Sequence, residues 1–333
     1  MKNLYKMMFT ISMMMGTIIA VSSNSWISMW IGLEINLLSI IPLMSNTKNM
    51  METEAAMKYF ITQALASAIL LLSIIIMLSK TNILSTKTVP MMLDTAILTK
   101  MGAAPLHFWF PEVMEGLSWI NSMIMLTWQK IAPMVMFMYS TKSIMFTTTI
   151  MIMSVTISGI MGINQNSMRK ILSYSSINHI GWMISTTLIN QTIWIMYFTV
   201  YSLMTLNITM MFKKLNIFFT SQMINSMNKN KTLKTLFSLN FLSLGGMPPF
   251  IGFFPKWITI NNLIQEKMFL ITFIMIMMTL ITLAFYMRIT FTSSVMMTTE
   301  NKMNNEKSSQ MLMTMNFMIL SMLTLCPLII SFT

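Results

Sequence analysis

Long apolar runs follow one another along almost the whole chain and are separated by short polar loops. A run of about 20 apolar residues is long enough to cross the hydrocarbon core of a bilayer as an α-helix. Because lipid cannot hydrogen-bond to the backbone, a spanning segment must be a helix or part of a closed barrel. The runs predict eleven spanning helices, at residues 4–22, 25–44, 55–79, 91–110, 120–139, 144–163, 169–189, 191–212, 235–265 (interrupted), 268–290 and 311–331.

Composition supports this class of protein. Hydrophobic residues make up 55% of the chain, charged residues 9%, and the mean hydropathy is +0.68. A soluble domain carries about 25% charged residues, so the chain is predicted to be an all-α polytopic membrane protein. The net charge of +12 raises the possibility of nucleic-acid binding. The basic residues are scattered in short loops, however, so no nucleic-acid partner is expected.

The sequence offers no recognisable site for a metal or a redox cofactor. Its single cysteine, Cys326, lies in an apolar segment, and no CxxC or Cys/His cluster is present. Neither a GxGxxG sequence nor a Walker sequence occurs. We therefore expect the chain to bind no cofactor of its own, and any energy that it uses must come from partners.

The basic residues of the predicted loops indicate the orientation of the chain. Thirteen of them fall on the same side as the N-terminus and four on the opposite side. Since lysine and arginine accumulate in the loops on the inner side of a membrane, the N-terminus is predicted to lie there. With eleven spans, the C-terminus is then expected on the other side.

Four lysines lie within predicted spans, namely Lys58, Lys100, Lys130 and Lys256. A lysine near the bilayer centre costs about 3 kcal/mol and is by default a functional hypothesis. Lys58 lies in the first turn of the third predicted span, where it can snorkel to the interface; we favour that explanation over a role in transport. Lys100 and Lys130 are each roughly 15 Å from either end of their spans, too far for snorkelling to rescue both.

An acidic residue and two histidines add to the buried lysines. Glu34 is the only acid predicted deep inside a span, and pairing with a buried lysine is favoured over a lone protonated carboxyl. His179 follows Ser175 and Ser176 by one helical turn, which gives its helix a polar stripe. A proton relay and a structural histidine fit this pattern about equally well. His107 is the other histidine and lies in a glycine- and proline-rich part of the fourth span.

Two predicted spans combine glycine and proline with a neighbouring lysine. They contain the sequences KMGAAPLHFWFPEV (100–113) and SLGGMPPFIGFFPKW (243–257). Proline removes helical hydrogen bonds, and a broken helix in a bilayer is tolerated only where it is buried in protein or lines a wet cavity. A simple kink is the alternative, but the adjacent lysines favour true interruptions, near 101–105 and 245–255.

Interrupted spans at corresponding positions indicate an inverted-repeat transporter. The fourth and ninth spans are five apart and therefore run in opposite directions. Residues 1–140 and 144–290 are accordingly predicted to be inverted five-helix repeats of one membrane domain (1–333), with 311–331 as an extra helix.

Seven stretches in order along the chain carry a family resemblance. They are GLEINLLSIIPL (32–43), TEAAMKYFITQALAS (53–67), KMGAAPLHFWFPEV (100–113), LTWQKIAP (126–133), SSINHIGWM (175–183), SLGGMPPFIGFFPKW (243–257) and FYMRI (285–289). Together they closely resemble the chain 2 family of mitochondrial NADH:ubiquinone oxidoreductase, or respiratory complex I. The resemblance implies an antiporter-like fold of inverted five-helix repeats with discontinuous fourth and ninth helices.

The same resemblance implies proton translocation along a central polar axis. The charged positions that match the family's axis are Glu34, Lys100, Lys130 and Lys256. His107 and His179 match the histidines of the family's HFW and HIGW motifs, whose roles are less defined. The chain would be a core subunit of an H+-translocating NADH:ubiquinone reductase, with no redox site of its own.

A mechanism follows from these positions. Burial favours a neutral lysine and a nearby carboxylate favours a charged one, so Glu34 and Lys100 would form a switchable pair. Lys130 would be the relay and Lys256 the gate to the far side. Moving a proton against the membrane potential needs about 2.3 kcal/mol per 100 mV. Partner subunits would have to supply it.

The resemblance also implies partners and a location. NADH, FMN, iron–sulfur clusters and ubiquinone would be bound by other subunits, and the antiporter-like chain 4, the small chain 4L and membrane lipids would be neighbours. The location would be the mitochondrial inner membrane, with the N-terminus in the matrix and the C-terminus on the intermembrane side.

Two other classes of function stay open at this point. A stand-alone cation/proton antiporter could share the fold, the broken helices and the buried lysines, although the full-length resemblance and the short loops disfavour it. A purely structural scaffold between membrane subunits would leave the buried charges dispensable.

Overall fold

The computed structural model describes residues 2–46, 49–79, 88–140, 143–227 and 231–295. Within these ranges the chain forms fourteen α-helices and no β-strand. The predicted eleventh span, 311–331, and Cys326 lie outside the described residues. The all-helical class expected from the apolar runs is confirmed for the described part of the chain.

Two compact units divide the chain, Met1–Met151 and Ile152–Thr333. The first unit contains seven complete helices, and its last residues belong to α8 (Ile144–Ile163), which continues into the second unit. These seven are α1 (Lys2–Ser22), α2 (Trp26–Met44), α3 (Met50–Ser79), α4 (Thr88–Met101), α5 (Trp109–Gly116), α6 (Trp119–Leu126) and α7 (Trp128–Tyr139). Helices of the second unit are α9 (Met168–Ile189), α10 (Gln191–Leu215), α11 (Thr220–Met227), α12 (Lys231–Gly245), α13 (Phe253–Gln265) and α14 (Phe269–Val295).

Six of the described helices are long and apolar enough to cross a membrane, judged by length and composition. Their apolar parts are Leu4–Ser22, Trp26–Met44, Met50–Ser79, Ile144–Ile163, Gln191–Leu215 and Phe269–Thr292. Helix α9 is long but more polar, and most of its residues are buried inside the protein. Because neighbouring helices cover it, α9 does not need an apolar surface toward lipid. The chain is a multi-pass membrane protein.

The predicted interruptions of the fourth and ninth spans are both present. Helix α4 ends at Met101 and α5 begins at Trp109, while α12 ends at Gly245 and α13 begins at Phe253. Among the described residues between α10 and α12, a short additional helix, α11, is present.

A continuous helix over 120–139 was also expected, and this prediction is wrong. Helix α6 ends before Thr127, whose backbone turns to φ −115° and ψ −72°, and α7 starts directly after it. The Thr127 hydroxyl donates to the Met123 carbonyl at 2.8 Å, a back-bond that bends helices. Pro133 has no N–H for the Gln129 carbonyl one turn earlier. These two local effects divide the span.

Close approach of α1 to α2 fixes the position of the helix that carries Glu34. A Cβ atom on Gly16 would lie 2.8 Å from the backbone nitrogen of Asn36, and one on Gly32 would lie 2.6 Å from that of Ala20. Small residues let membrane helices pack backbone to backbone in this way. A larger side chain at either glycine would push α2 away from α1.

Candidate functional site

The end of α4 is built so that Lys100 lies beside a break in the helix. Gly102 has φ +73°, a left-handed conformation that glycine adopts without strain. Its N–H donates to the Thr99 carbonyl and that of Ala103 donates to the Leu98 carbonyl, both at 3.1 Å. This pair of bonds is a Schellman motif, a common way to end a helix. Lys100 is therefore held in the last turn of α4.

Neutral side chains donate hydrogen bonds to two backbone carbonyl groups at the end of α4. The indole Nε1–H of Trp109 donates to the Thr99 carbonyl at 3.1 Å. The buried amide of Gln63, on α3, donates to the Lys100 carbonyl at 3.4 Å. Since backbone groups inside a membrane protein must be satisfied internally, these two side chains allow a broken helix at this depth.

Lys100 and Glu34 lie together, as the sequence indicated. The Lys100 Nζ atom is 3.9 Å from Glu34 Oε1, and the two side chains are 3% and 25% exposed. The distance is within the range of an ion pair but too long for a direct hydrogen bond. A carboxylate at this distance offsets part of the cost of burying the lysine charge.

Lys130 lies in the first turn of α7, just after the unpredicted break at Thr127. Its side chain is 2% exposed, and Nζ is 5.7 Å from the centre of the Phe110 ring. That geometry is a cation–π contact when the lysine is charged. The residue before it, Gln129, exchanges two hydrogen bonds of 2.9 Å with Asn36 on α2.

Lys100 and Lys130 line one cavity within the first unit. Its volume is about 20 Å³, and a cavity of at least about 10–15 Å³ by the same measure can hold one water molecule. The side chains around it include the polar groups of Asn36, Tyr59, Gln63, Lys100, Gln129 and Lys130. A polar cavity of this size between two buried lysines is suited to a single bridging water.

The second break, between α12 and α13, holds Lys256 differently. Gly246 has φ +80°, and the N–H groups of Gly246 and Met247 close the end of α12 by bonds to the Ser243 and Leu242 carbonyls. The buried Lys256 side chain reaches back from the first turn of α13, and Nζ donates to the Gly245 carbonyl at 3.0 Å. The side chain of Lys256 thus caps the C-terminal end of α12.

His179 is buried in the second unit. Its Nδ1 shares a hydrogen bond of 2.9 Å with the hydroxyl of Tyr197, and the Tyr201 ring lies 5.0 Å away. The hydroxyls of Ser175 and Ser176 donate to carbonyls of their own helix at 2.7 Å. The polar stripe predicted on this helix is therefore real. Its histidine is hydrogen-bonded, which is compatible with both of the roles considered above.

Two other candidates from the sequence lie elsewhere. Lys58 Nζ is 3.0 Å from carboxylate oxygens of both Glu54 and Glu112, and its side chain is 43% exposed. These three residues, the surface triad, are not among the cavity lining. His107 is buried in the break after α4, where Nδ1 lies 3.3 Å from the Pro105 carbonyl.

Sequence reasoning missed some buried polar groups of the first unit. Asp94, which lies near the start of the predicted fourth span, was not singled out, yet it is 0% exposed in α4. Asn36 and Gln129 were not singled out either, although an amide in an apolar run is a signal. Among the described residues, no group of three His, Cys, Asp or Glu side chains is placed to hold a metal ion.

Comparison with known proteins agrees with this architecture. Residues 23–282 match the family model described as NADH:quinone oxidoreductase/Mrp antiporter, TM. The NADH-ubiquinone oxidoreductase chain 2 of Locusta migratoria is 46% identical, covering 90% of this chain and 88% of that protein. The protein of the same name from Anopheles gambiae is 45% identical, covering 94% and 90%.

A solved structure shares the fold. A chain of respiratory complex I from Thermus thermophilus with bound aureothin superimposes with a TM-score of 0.86 at 20% sequence identity, over 98% of this chain and 79% of that one. At this identity the likeness concerns the antiporter-like membrane fold alone. With the sequence matches, the chain belongs to the NADH:quinone oxidoreductase/Mrp antiporter membrane family and, within it, to the NADH-ubiquinone oxidoreductase chain 2 proteins.

Proposed function

We propose that this chain is a proton-translocating membrane-arm subunit of respiratory complex I. The observation that carries the proposal is the arrangement in the first unit, where Glu34, Lys100, a water-sized cavity and Lys130 follow one another. Buried ionisable residues within a membrane protein mark ion or proton pathways. The sequence identity to chain 2 proteins supports the same function.

Glu34 and Lys100 form the switchable pair of this pathway. With both groups charged, each offsets the desolvation of the other. A proton that leaves Lys100 through the cavity leaves a neutral amine and an unbalanced carboxylate, so the pair then favours the uptake of another proton. Lys130, on the same cavity, receives the proton as the relay. His107, buried in the adjacent break, is a further candidate on this side.

Lys256 is the gate of the second unit, with His179 as a further candidate for the relay. A charged Lys256 is held by the Gly245 carbonyl at 3.0 Å, and loss of its proton weakens that bond and frees the side chain to move. Both breaks end in a left-handed glycine. This likeness supports the assignment of residues 1–140 and 144–290 as inverted repeats with discontinuous fourth and ninth helices.

The proposed setting is the mitochondrial inner membrane, with eleven spans and the N-terminus in the matrix. Other subunits of the complex would bind NADH, FMN, iron–sulfur clusters and ubiquinone, and chains 4 and 4L would be neighbours. The excess of basic residues in loops on the N-terminal side supports this orientation. Protease treatment of mitoplasts tests it, since cleavage within 213–234 from the intermembrane side would contradict it.

A proton-pumping assay tests the central proposal. The complex carrying Glu34→Gln or Lys100→Met, reconstituted into vesicles, is expected to translocate fewer protons per electron while it still assembles. Lys213→Met is the matched control, because Lys213 is an exposed lysine in the last turn of α10. Unchanged proton-to-electron ratios in both site variants would contradict the proposal and favour a scaffold role.

A stand-alone cation/proton antiporter is the second candidate, because the matching family model also includes Mrp antiporters. Extraction in a mild detergent separates the two. A complex I subunit is expected to migrate with a very large assembly, and an antiporter as a small homo-oligomer.

A further inference from the structure

Asn36 and Gln129 form an amide pair that joins the two helices of the candidate site. Each amide donates one hydrogen bond of 2.9 Å to the carbonyl oxygen of the other. Asn36 is 3% exposed and lies two residues after Glu34 on α2, while Gln129 directly precedes Lys130 on α7. The pair therefore connects the helix of the carboxylate with the helix of the relay lysine.

Each amide keeps unused hydrogen-bonding capacity. A primary amide has two N–H donors and a carbonyl oxygen with two lone pairs, and the reciprocal bonds use one donor and one acceptor on each side. Both residues line the cavity that Lys100 and Lys130 also line. The amide pair can thus present both a donor and an acceptor to a molecule in that cavity.

A water in this cavity needs both kinds of group. The volume of about 20 Å³ has room for about one water, which requires 2–4 polar partners. A charged lysine can only donate to the water, whose hydrogens then need acceptors such as the amide carbonyls. A neutral lysine accepts from the water, whose oxygen can then take a hydrogen bond from an amide N–H.

We propose that the Asn36–Gln129 amide pair holds the water that carries protons between Lys100 and Lys130. The inference rests on the proposed function and concerns how its first step is organised. In that step one lysine gives a proton to the water oxygen while the water gives one of its hydrogens to the neutral amine of the other lysine. The water is regenerated, and the net change is one proton moved. The two amides are positioning residues and do not change protonation.

The competing explanation is structural, namely that the amide pair only fastens α2 to α7. A double variant, Asn36→Leu/Gln129→Met, separates the two explanations in the assembled complex. Because both partners are removed together, no buried polar group is left unpaired and assembly should be nearly normal. Misplacing a reacting group by about 1 Å can cost about 100-fold, so proton translocation per assembled complex is expected to fall by at least about tenfold.

Two further variants complete the experiment. The exchanged pair, Asn36→Gln/Gln129→Asn, keeps both amides and should recover most of the translocation. Asn121→Leu is the matched control, because Asn121 on α6 also bonds to α2, at the Leu43 carbonyl (3.0 Å), without lining the cavity. It is expected to lower the yield of assembled complex but not translocation per complex.

Normal translocation in the double variant overturns the inference, and so does an equal loss in Asn121→Leu. If the double variant does not assemble, proton translocation per assembled complex is measured for Gln129→Met alone. Lys100→Met is measured alongside. Glu34→Gln is measured as well. If neither Lys100→Met nor Glu34→Gln has an effect, the proposed function fails too; if they abolish translocation while Asn36→Leu/Gln129→Met does not, only the role of the amide pair fails.

Discussion

The ends of α4 and α12, at the two helix breaks, have the same backbone capping motif. They differ in the side chains that donate hydrogen bonds to the carbonyl groups there. Both helices end in a Schellman motif with a left-handed glycine, at Gly102 and at Gly246. At the first break, neutral side chains bond to two backbone carbonyls, and Lys100 remains available to Glu34. At the second, Lys256 bonds to the freed Gly245 carbonyl itself.

This difference separates two ways to keep a lysine inside a membrane protein. Lys100 lies 3.9 Å from the opposite charge of Glu34, which offsets part of the cost of its burial. Lys256 is balanced by a backbone dipole, which does not titrate; none of the ion pairs among the described residues includes it. Removing each lysine should therefore have a different energetic cost, and four predictions, each with its own variants, test the comparison.

The largest effect is expected for Lys100→Met. It leaves the partly buried Glu34 carboxylate without its partner, and breaking a buried ion pair in this way costs about 3–5 kcal/mol. Heat-induced loss of the assembled complex should therefore occur at a clearly lower midpoint temperature than in the unmodified complex. Glu34→Gln/Lys100→Met removes both charges and should restore most of the stability, though not proton translocation. An equal loss of stability in the double variant would show that the pair is not coupled.

Lys256→Met should cost less, because it leaves a single carbonyl without a donor, worth about 1–3 kcal/mol. Lys256→Gln sharpens the comparison, since a glutamine can donate to the Gly245 carbonyl but cannot hold a proton for transfer. We expect it to be more stable than Lys256→Met on heating and equally deficient in translocation. Full proton translocation in Lys256→Gln would rule out the proposed role of Lys256 as the gate.

Alanine at either of the two left-handed glycines should cost about 1–2 kcal/mol of stability. The cost should be similar at the two positions and smaller than that of Lys100→Met. A Cβ on Gly246 would lie 3.0 Å from Lys256 Cδ, whereas one on Gly102 would lie 3.3 Å from Phe110 Cβ. Because the flexible lysine gives way, Gly246→Ala is expected to lower translocation per complex as well, and Gly102→Ala mainly stability. The same assay on both variants checks this, and equal translocation in the two would contradict it.

The smallest effect is expected at the surface triad. Lys58 is 43% exposed between Glu54 and Glu112, and exposed ion pairs contribute about 0–1 kcal/mol. Lys58→Met should change neither the midpoint of heat inactivation nor the proton-to-electron ratio appreciably. A strong loss of proton translocation would indicate that Lys58 does take part in transport. It would also weaken the distinction between buried and exposed lysines.

The sequence alone determined the features that depend on local chemistry. Apolar runs of spanning length predicted helices, since lipid allows few other structures. Glycine and proline beside Lys100 and Lys256 predicted both interruptions, because their effects on the backbone act within one or two turns. Depth within a run likewise identified Lys100 and Lys130, which are buried, and Glu34, which is partly buried, as charges that need stabilising surroundings.

Tertiary structure decided the features that depend on neighbouring helices. The division at Thr127 is an exception, because it comes from two local effects, a hydroxyl back-bond and Pro133, that a hydropathy pattern does not register. Asp94 is buried because neighbouring helices, α3 and α7 among them, pack against α4. Asn36 and Gln129 are 93 residues apart, and only the tertiary structure brings α2 and α7 close enough for these side chains to be partners. A side chain's chemical type is local, but its hydrogen-bond partner is set by packing.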